Sequence, residues 1–183
     1  MPIYLIGFMA SGKTTLGQAL AERLPDCPFI DLDALVEETE GMTVSEIFAR
    51  RGESGFREAE SLALACVAQA EGNAIVACGG GTPCRPENMD LMLRTGTVVW
   101  LQAEDSTTVR RLLEAPAGQR PKIEKYRSDP AALLAEVRRL AEARRPHYAR
   151  AHATFDSGSL ESPEEIEASA ALFIHRFLHK TTE

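Results

Sequence analysis

The chain has 183 residues, 44% of them hydrophobic and 26% charged, which suits one packed domain of ordinary size and excludes wholesale disorder. Its 27 acidic against 20 basic residues give a formal charge of −7, the wrong sign for a diffuse nucleic-acid binder. No apolar run approaches the roughly 20 residues needed to span a bilayer.

The first apolar run, Ile3 to Ile6, ends at Gly7 and reads as a fully buried parallel strand. Leu16, Leu20 and Leu24 recur every fourth residue and predict a helix from about Lys13 to Leu24, stopped by Pro25. Cys27 to Ile30 reads as a second strand with Asp31 and Asp33 at its carboxyl end. Thr43-Val44-Ser45-Glu46 is a capping box that opens a short helix ending near Gly52. An amphipathic helix from about Gly55 to Ala70 follows, with Phe56, Ala59, Ala63, Cys66 and Ala70 expected on its buried face. Ala74 to Cys78 is a third strand, leading into Gly79-Gly80-Gly81. Pro86 to Arg94 predicts a helix and Thr97 to Leu101 a strand. Helices are expected at Ser106–Leu113, at Pro130–Ala143 behind an Asp129 cap, and at Pro163–His179 behind the capping box begun by Ser162. Ala153 to Asp156 is a last short strand. Pro116 to Asp129 is a long polar connection, which favours a mobile lid. Strands alternating with helices imply a parallel sheet covered on both faces, with ligands outside the strands' carboxyl ends.

Gly7 to Thr14 satisfies GxxxxGK[ST] and stands between a strand and a helix, where that pattern must stand. Backbone N–H groups of such a loop and the positive end of the helix cradle polyphosphate oxygens. Lys13 brings a point charge to the β- and γ-phosphates, and Thr14 offers a hydroxyl to Mg²⁺. The pattern specifies a nucleoside triphosphate, not its use. An Asn-Lys-x-Asp base-reading motif is absent, which argues against a GTPase-type switch. Asp31 and Asp33 are two residues apart; in an extended segment both carboxylates would face one site. One could order the metal's water shell while the other accepts a hydrogen bond from an attacking hydroxyl.

Together these features make the sequence resemble the shikimate kinases, which phosphorylate the 3-hydroxyl of shikimate from ATP. The matching elements are Gly-Phe-Met-x-x-Gly-Lys-Thr, Asp31-Leu32-Asp33, Glu46-Ile47-Phe48 before Gly52-Glu53, Phe56-Arg57-x-x-Glu60, Gly79-Gly80-Gly81, Arg120-Pro121 and Arg144-x-Pro146-x-Tyr148. They follow the family's order and spacing from residue 3 to about 150. The resemblance implies a three-layer α/β/α P-loop kinase of one domain, residues 1–183, with a five-stranded parallel sheet. It also implies a helical substrate-binding region at about 34–60 and a mobile lid at about 115–127. ATP would be held by Ala10, Ser11, Gly12, Lys13, Thr14, Thr15 and Arg120, with Lys13, Asp33 and Arg120 catalytic. Asp31, through water, and Thr14 would serve Mg²⁺. Shikimate would meet Asp33, the Gly79–Gly81 backbone, and a carboxylate clamp of Arg57 and Arg144, whose guanidinium forks suit a planar anion. Glu60 would orient Arg57.

Three positions depart from the family pattern. Ala10 stands where glycine is common, which a negative φ would accommodate. The lid continues Lys122-Ile123 after Arg-Pro in place of leucines, and Asp156-Ser157-Gly158-Ser159 lacks the arginine many members place near adenine. Gluconate or adenylylsulfate kinases of the same build, and a catalytically silent nucleotide-binding protein, are the competing readings. Phe56-Arg57 with the glycine triplet favours shikimate, and retention of Lys13, Asp33 and Arg120 argues for catalysis. Cys27, Cys66, Cys78 and Cys84 form no CxxC pair and have no histidine at metal-ligand spacing, so they read as small reduced core residues. With no basic flank of a secretory signal at the N-terminus, a cytoplasmic monomer is expected, with ATP and shikimate as partners and neither nucleic acid nor membrane.

Overall fold

A computed structural model describes residues 1–116 and 121–178, with the side chains of residues 121 and 122 outside the description. Five parallel strands, β1 (Pro2–Ile6), β2 (Phe29–Asp31), β3 (Ala74–Ala77), β4 (Thr97–Gln102) and β5 (Ala153–Asp156), form one sheet in the order β2-β3-β1-β4-β5. Every residue of β1 and β3 is buried, as their unbroken apolar runs require. Side chains alternate across the sheet. Ile3 and Leu5 join Leu16, Leu20, Phe155 and Phe173 in one core, beneath α1 (Lys13–Arg23) and α8 (Pro163–Phe177); Tyr4 and Ile6 join Leu64, Met89, Met92 and Val137 in the other. The three-layer α/β/α architecture is therefore the expected one. The central position of β1 puts the loop that follows it in the crevice at the sheet's carboxyl edge.

α2 (Leu32–Glu40), which the hydrophobic pattern does not mark but which falls within the helical region implied at about 34–60, starts directly after β2 and stops at Gly41 in the left-handed conformation, φ 63°. It corrects the picture of Asp31 and Asp33 on an extended segment: Asp31 caps α2, and Asp33 lies in its first turn. α3 (Val44–Gln69) opens on the Thr43–Glu46 capping box and is broken at Gly52, φ 68° and ψ −173°, so the two expected helices are both present. Its buried face is Phe56, Ala59, Glu60, Ala63, Leu64 and Val67. Cys66 is exposed, because at 100° per residue it falls at the edge of that face, and Ala70 lies past the helix end. The cysteines are accordingly not core residues as a group; only Cys78 is buried.

α4 (Pro86–Thr95) and α5 (Asp105–Glu114) fall where periodicity places them. The connection after α5 contains a short helix, α6 (Pro121–Glu124), and buries Ile123. Arg127 ties its far end back to α5 by donating to the carbonyls of Leu112 (3.1 Å) and Leu113 (2.7 Å), orphan acceptors at that helix's C-terminus. α7 (Pro130–Tyr148) runs a turn beyond the expected Ala143, because Pro146 sits close enough to the end to remove little hydrogen bonding. The extra turn stacks Arg144 and Tyr148 at i and i+4 on one face.

Candidate active site

Gly7 to Gly12 carry the chain from β1 to α1 through three residues of positive φ: Gly7 (147°), Ala10 (58°) and Gly12 (83°). A Cβ on Gly7 would lie 2.5 Å from the Leu101 carbonyl oxygen, so no other residue fits there. Ala10 does not have the negative φ that would accommodate it. It is the only non-glycine with positive φ among the described residues, a left-handed conformation costing on the order of 1–2 kcal/mol. No side chain caps α1. Its leading N–H groups at Lys13, Thr14 and Thr15, together with the helix dipole, thus face the cleft as an anion site. Lys13 Nζ donates to the carbonyls of Gly7 (3.0 Å) and Phe8 (2.7 Å), laying the ammonium across the loop's concave side. Ser11 is buried within the loop.

Asp31 Oδ1 accepts from the N–H groups of Asp33 (3.1 Å) and Ala34 (3.4 Å), while Oδ2 accepts from the Thr14 hydroxyl at 3.0 Å. The capping bonds fix the Asp31 carboxylate against the phosphate loop. Thr14 and Asp31 form an all-oxygen pair beside the anion site. Among the described residues no cluster of three or more metal-binding side chains occurs, so this donor set fits a hard cation held mainly by phosphate and water.

Asp33 is the atypical group. Among the described residues its Oδ1 is buried without a hydrogen-bond partner, and burial, then the neighbouring carboxylates of Glu60 and Asp31, push its carboxyl up to about 6. Lys13 and Arg57 pull the other way and do not prevail. A buried carboxylate oxygen with nothing to accept from is the arrangement that a substrate hydroxyl would complete.

Around Asp33 the chain gathers the rest of the predicted substrate residues. Arg57 Nη1 donates to the fully buried Glu60 at 2.7 Å, as expected for a residue that orients it, and Glu53 stands 3.6 Å from Nη2. The guanidinium lies 5.0 Å over the Phe56 ring. Arg144, which helix composition alone could not separate from Arg138, Arg139 and Arg145, is the one turned inward. It lies over the Phe8 ring and donates to the Gly80 carbonyl at 3.3 Å. Tyr148 donates to the same oxygen at 2.6 Å, and burial pushes its phenol up to about 12. The glycine triplet is needed for closeness rather than for positive φ. A Cβ on Gly81 would lie 2.5 Å from Arg57 Nη2, on Gly80 3.2 Å from Arg144 Nη1, and on Gly79 2.7 Å from Glu60 Oε1. Both arginines therefore flank one turn.

A cleft of about 430 Å³ runs from Asp33, Gly79 and Gly80 past the phosphate loop to Arg111, Leu160 and Glu161. Arg111 escaped the sequence reading because nothing in its helix marks it. It donates to the carbonyls of Ala10 (3.2 Å), Ser157 (3.0 Å) and Gly158 (3.1 Å), so α5 brings an arginine to the loop after β5 that lacks one of its own. Thr82 was missed as well; its hydroxyl donates to Glu60 Oε1 from complete burial. Arg120, the expected lid arginine, lies outside the described residues.

Residues 9–175 match the family model described as shikimate kinase. A shikimate kinase from Bacteroides thetaiotaomicron is 42% identical over 167 residues, spanning 91% of this chain and 93% of that one. The crystal structure of a shikimate kinase from the same organism superposes with a TM-score of 0.88 at 39% identity, covering 96% of this chain and 97% of that one. An Acinetobacter baumannii shikimate kinase in complex with shikimate gives a TM-score of 0.79 at 26% identity, over 99% and 95% of the two chains.

Proposed function

From the premise that this chain belongs to the shikimate kinase family, we propose how its own residues carry out ATP-dependent phosphorylation of shikimate. The chain is a shikimate kinase by family, an ATP-using transferase of aromatic amino-acid biosynthesis. The observation that carries the assignment of its site is the unpartnered Asp33 Oδ1, placed between the phosphate loop and the arginines at the glycine turn.

The loop N–H groups from Ala10 to Thr15 and the Lys13 ammonium bind the β- and γ-phosphates of ATP. The adenosine extends along the cleft toward Arg111, Leu160 and Glu161. Thr14 and Asp31, the latter through water, would hold Mg²⁺, which supplies charge neutralisation at the phosphates when bound. Arg57 and Arg144 grip the carboxylate of shikimate while the backbone of Gly79–Gly81 lies along its ring. Asp33 Oδ1 accepts the hydrogen of the 3-hydroxyl and aims that oxygen at the γ-phosphorus. Arg120 meets the transferring phosphoryl group as the 115–127 segment closes and excludes water. The substrate region is 34–60 and the whole is one domain acting as a cytoplasmic monomer. The −7 charge favours a dissolved, self-repelling chain, and among the described residues no helix is long and apolar enough to cross a membrane.

An ATP-consumption assay with Mg²⁺ and, in turn, shikimate, gluconate and adenylylsulfate tests the reading. Turnover is expected with shikimate alone; equal turnover with either other acceptor would reassign the carboxylate site.

A further inference from the structure

Arg57 is held between the glycine turn and its own helix, α3. On one side its guanidinium lies against Gly81, and on the other it donates to Glu60 Oε2. Glu60 has no exposed surface, so its second oxygen must find a donor inside the protein. That donor is the Thr82 hydroxyl. A carboxylate held through one oxygen alone could rotate about its terminal torsion and carry its arginine with it; held through both, it cannot. Thr82 is itself immobilised. Its N–H donates to the Gly79 carbonyl (3.1 Å), its carbonyl accepts from Asn88 Nδ2 (3.2 Å), Asn88 is buried, and β-branching restricts χ1. Thr82 is fully buried and does not line the cleft.

We propose that Thr82 is a positioning residue for the substrate's carboxylate: its hydroxyl, through Glu60, sets where the Arg57 guanidinium points. This rests on the reading of Arg57 as one half of the carboxylate grip. The hydroxyl matters doubly because a Cβ placed on Gly79 would lie 2.7 Å from Glu60 Oε1 and 3.1 Å from both Asp33 Oδ1 and Thr82 Oγ1, so the three oxygens surround one small space beside Gly79. Remove the donor, and Glu60 Oε1 is left near Asp33 with no partner, free to turn away and draw Arg57 off line.

The test is steady-state kinetics of Thr82→Val, which keeps the shape and loses the O–H, beside Thr82→Ser, which keeps the O–H. Each is measured alone and with Arg57→Lys, which retains a cation for Glu60 but not the fork. Thr82→Val should raise the KM for shikimate roughly ten-fold, as loss of a charge-assisted hydrogen bond does, with kcat and the KM for ATP within about three-fold. Thr82→Ser should stay near wild type, and Thr82→Val should add little to Arg57→Lys. Thr82→Ala gives the same readout if the valine variant does not fold. The inference is overturned if Val and Ala leave the shikimate KM unchanged, if the ATP KM rises equally, or if the effect adds in full to that of Arg57→Lys. If Arg57→Lys itself binds shikimate like wild type, the Arg57 reading and this inference fall together; if only the Thr82 variants are silent, this inference falls alone.

Discussion

Lys13 secures the phosphate loop by reaching carbonyls five and six residues back, whereas Arg57 depends on Glu60, and Glu60 on Thr82 a further 22 residues along the chain. The proposed phosphate cradle is thus made by one contiguous stretch whose backbone would do the binding, and needs only a strand, a turn and a helix in succession, although the rest of the nucleotide cleft draws on Asp31, Arg111 and Leu160. The substrate half is assembled from α3, the glycine turn and α7, with ionised side chains held in a buried network. Such a network is costly unless every member is satisfied, and the buried side-chain atom left unsatisfied among the described residues, Asp33 Oδ1, sits where the two halves meet. Damage to the first half should therefore appear mainly in phosphate handling, and damage to the second in both substrate affinity and stability.

The largest effect should come at the junction. Asp33→Asn should lower turnover by roughly 10⁴-fold, the upper range for a group that handles the reacting proton, with ATP affinity within a few-fold. It should also stabilise the fold. The folded-state pKa of about 6 lies above the ordinary carboxylate value, so ionised Asp33 opposes folding; that penalty is complete above pH 6 and is lost as pH falls toward 4. In the protein free of ATP and metal, Asp33→Asn should gain on the order of 1–2 kcal/mol at pH 7, and the gain should shrink through that window. Denaturant melts of both proteins at pH 7 and pH 4.5 check this, and an asparagine variant less stable than wild type at pH 7 would contradict it. Next, Arg120→Ala should lower kcat by roughly 10³-fold while shikimate affinity changes little, as stopped-flow turnover and equilibrium titration can show; an unchanged kcat would make Arg120 an ordinary exposed residue.

The two arginines proposed as the carboxylate clamp sharpen the comparison from within the substrate half. Arg57→Ala strands the buried Glu60 and should cost about 3–5 kcal/mol of stability. Arg144→Ala removes a long hydrogen bond, a ring contact and an interaction with the Tyr148 hydroxyl, strands no buried charge, and should cost no more than about 1 kcal/mol. Equal losses in urea unfolding would erase the distinction. The smallest effect belongs to the nucleotide half: Ala10→Gly relieves the left-handed alanine at φ 58° and should add about 0.5–1 kcal/mol, net of glycine's greater freedom when unfolded, with little change in ATP affinity.

What the sequence could reveal follows the same division. The strands, the phosphate loop and both capping boxes were legible because each is written in consecutive residues whose pattern has one geometric meaning. Asp33 was found, but on the wrong local structure. Asp31 doubles as a helix cap, and Leu32-Asp33-Ala34 carries no periodicity long enough to separate a helix start from a strand end. The φ of Ala10 was likewise invisible, since alanine gives no sign of a left-handed turn. Thr82 and Arg111 could not be read at all. Their roles consist of contacts with Glu60 and with the loop after β5, which exist only once the sheet has brought distant segments together. Only the Arg-x-Pro-x-Tyr framing distinguished Arg144, and the structure gives the reason: that turn presents Arg144 and Tyr148 to one carbonyl, Gly80.

The central claim is that Arg57 and Arg144, flanking the glycine turn, together grip one carboxylate. Calorimetric titration of shikimate into wild type, Arg57→Lys and Arg144→Ala, each saturated with a non-hydrolysable ATP analogue, tests it most directly. The account predicts a Kd raised roughly ten-fold or more in both variants, with the analogue bound as in wild type. Wild-type shikimate affinity in both variants would contradict it.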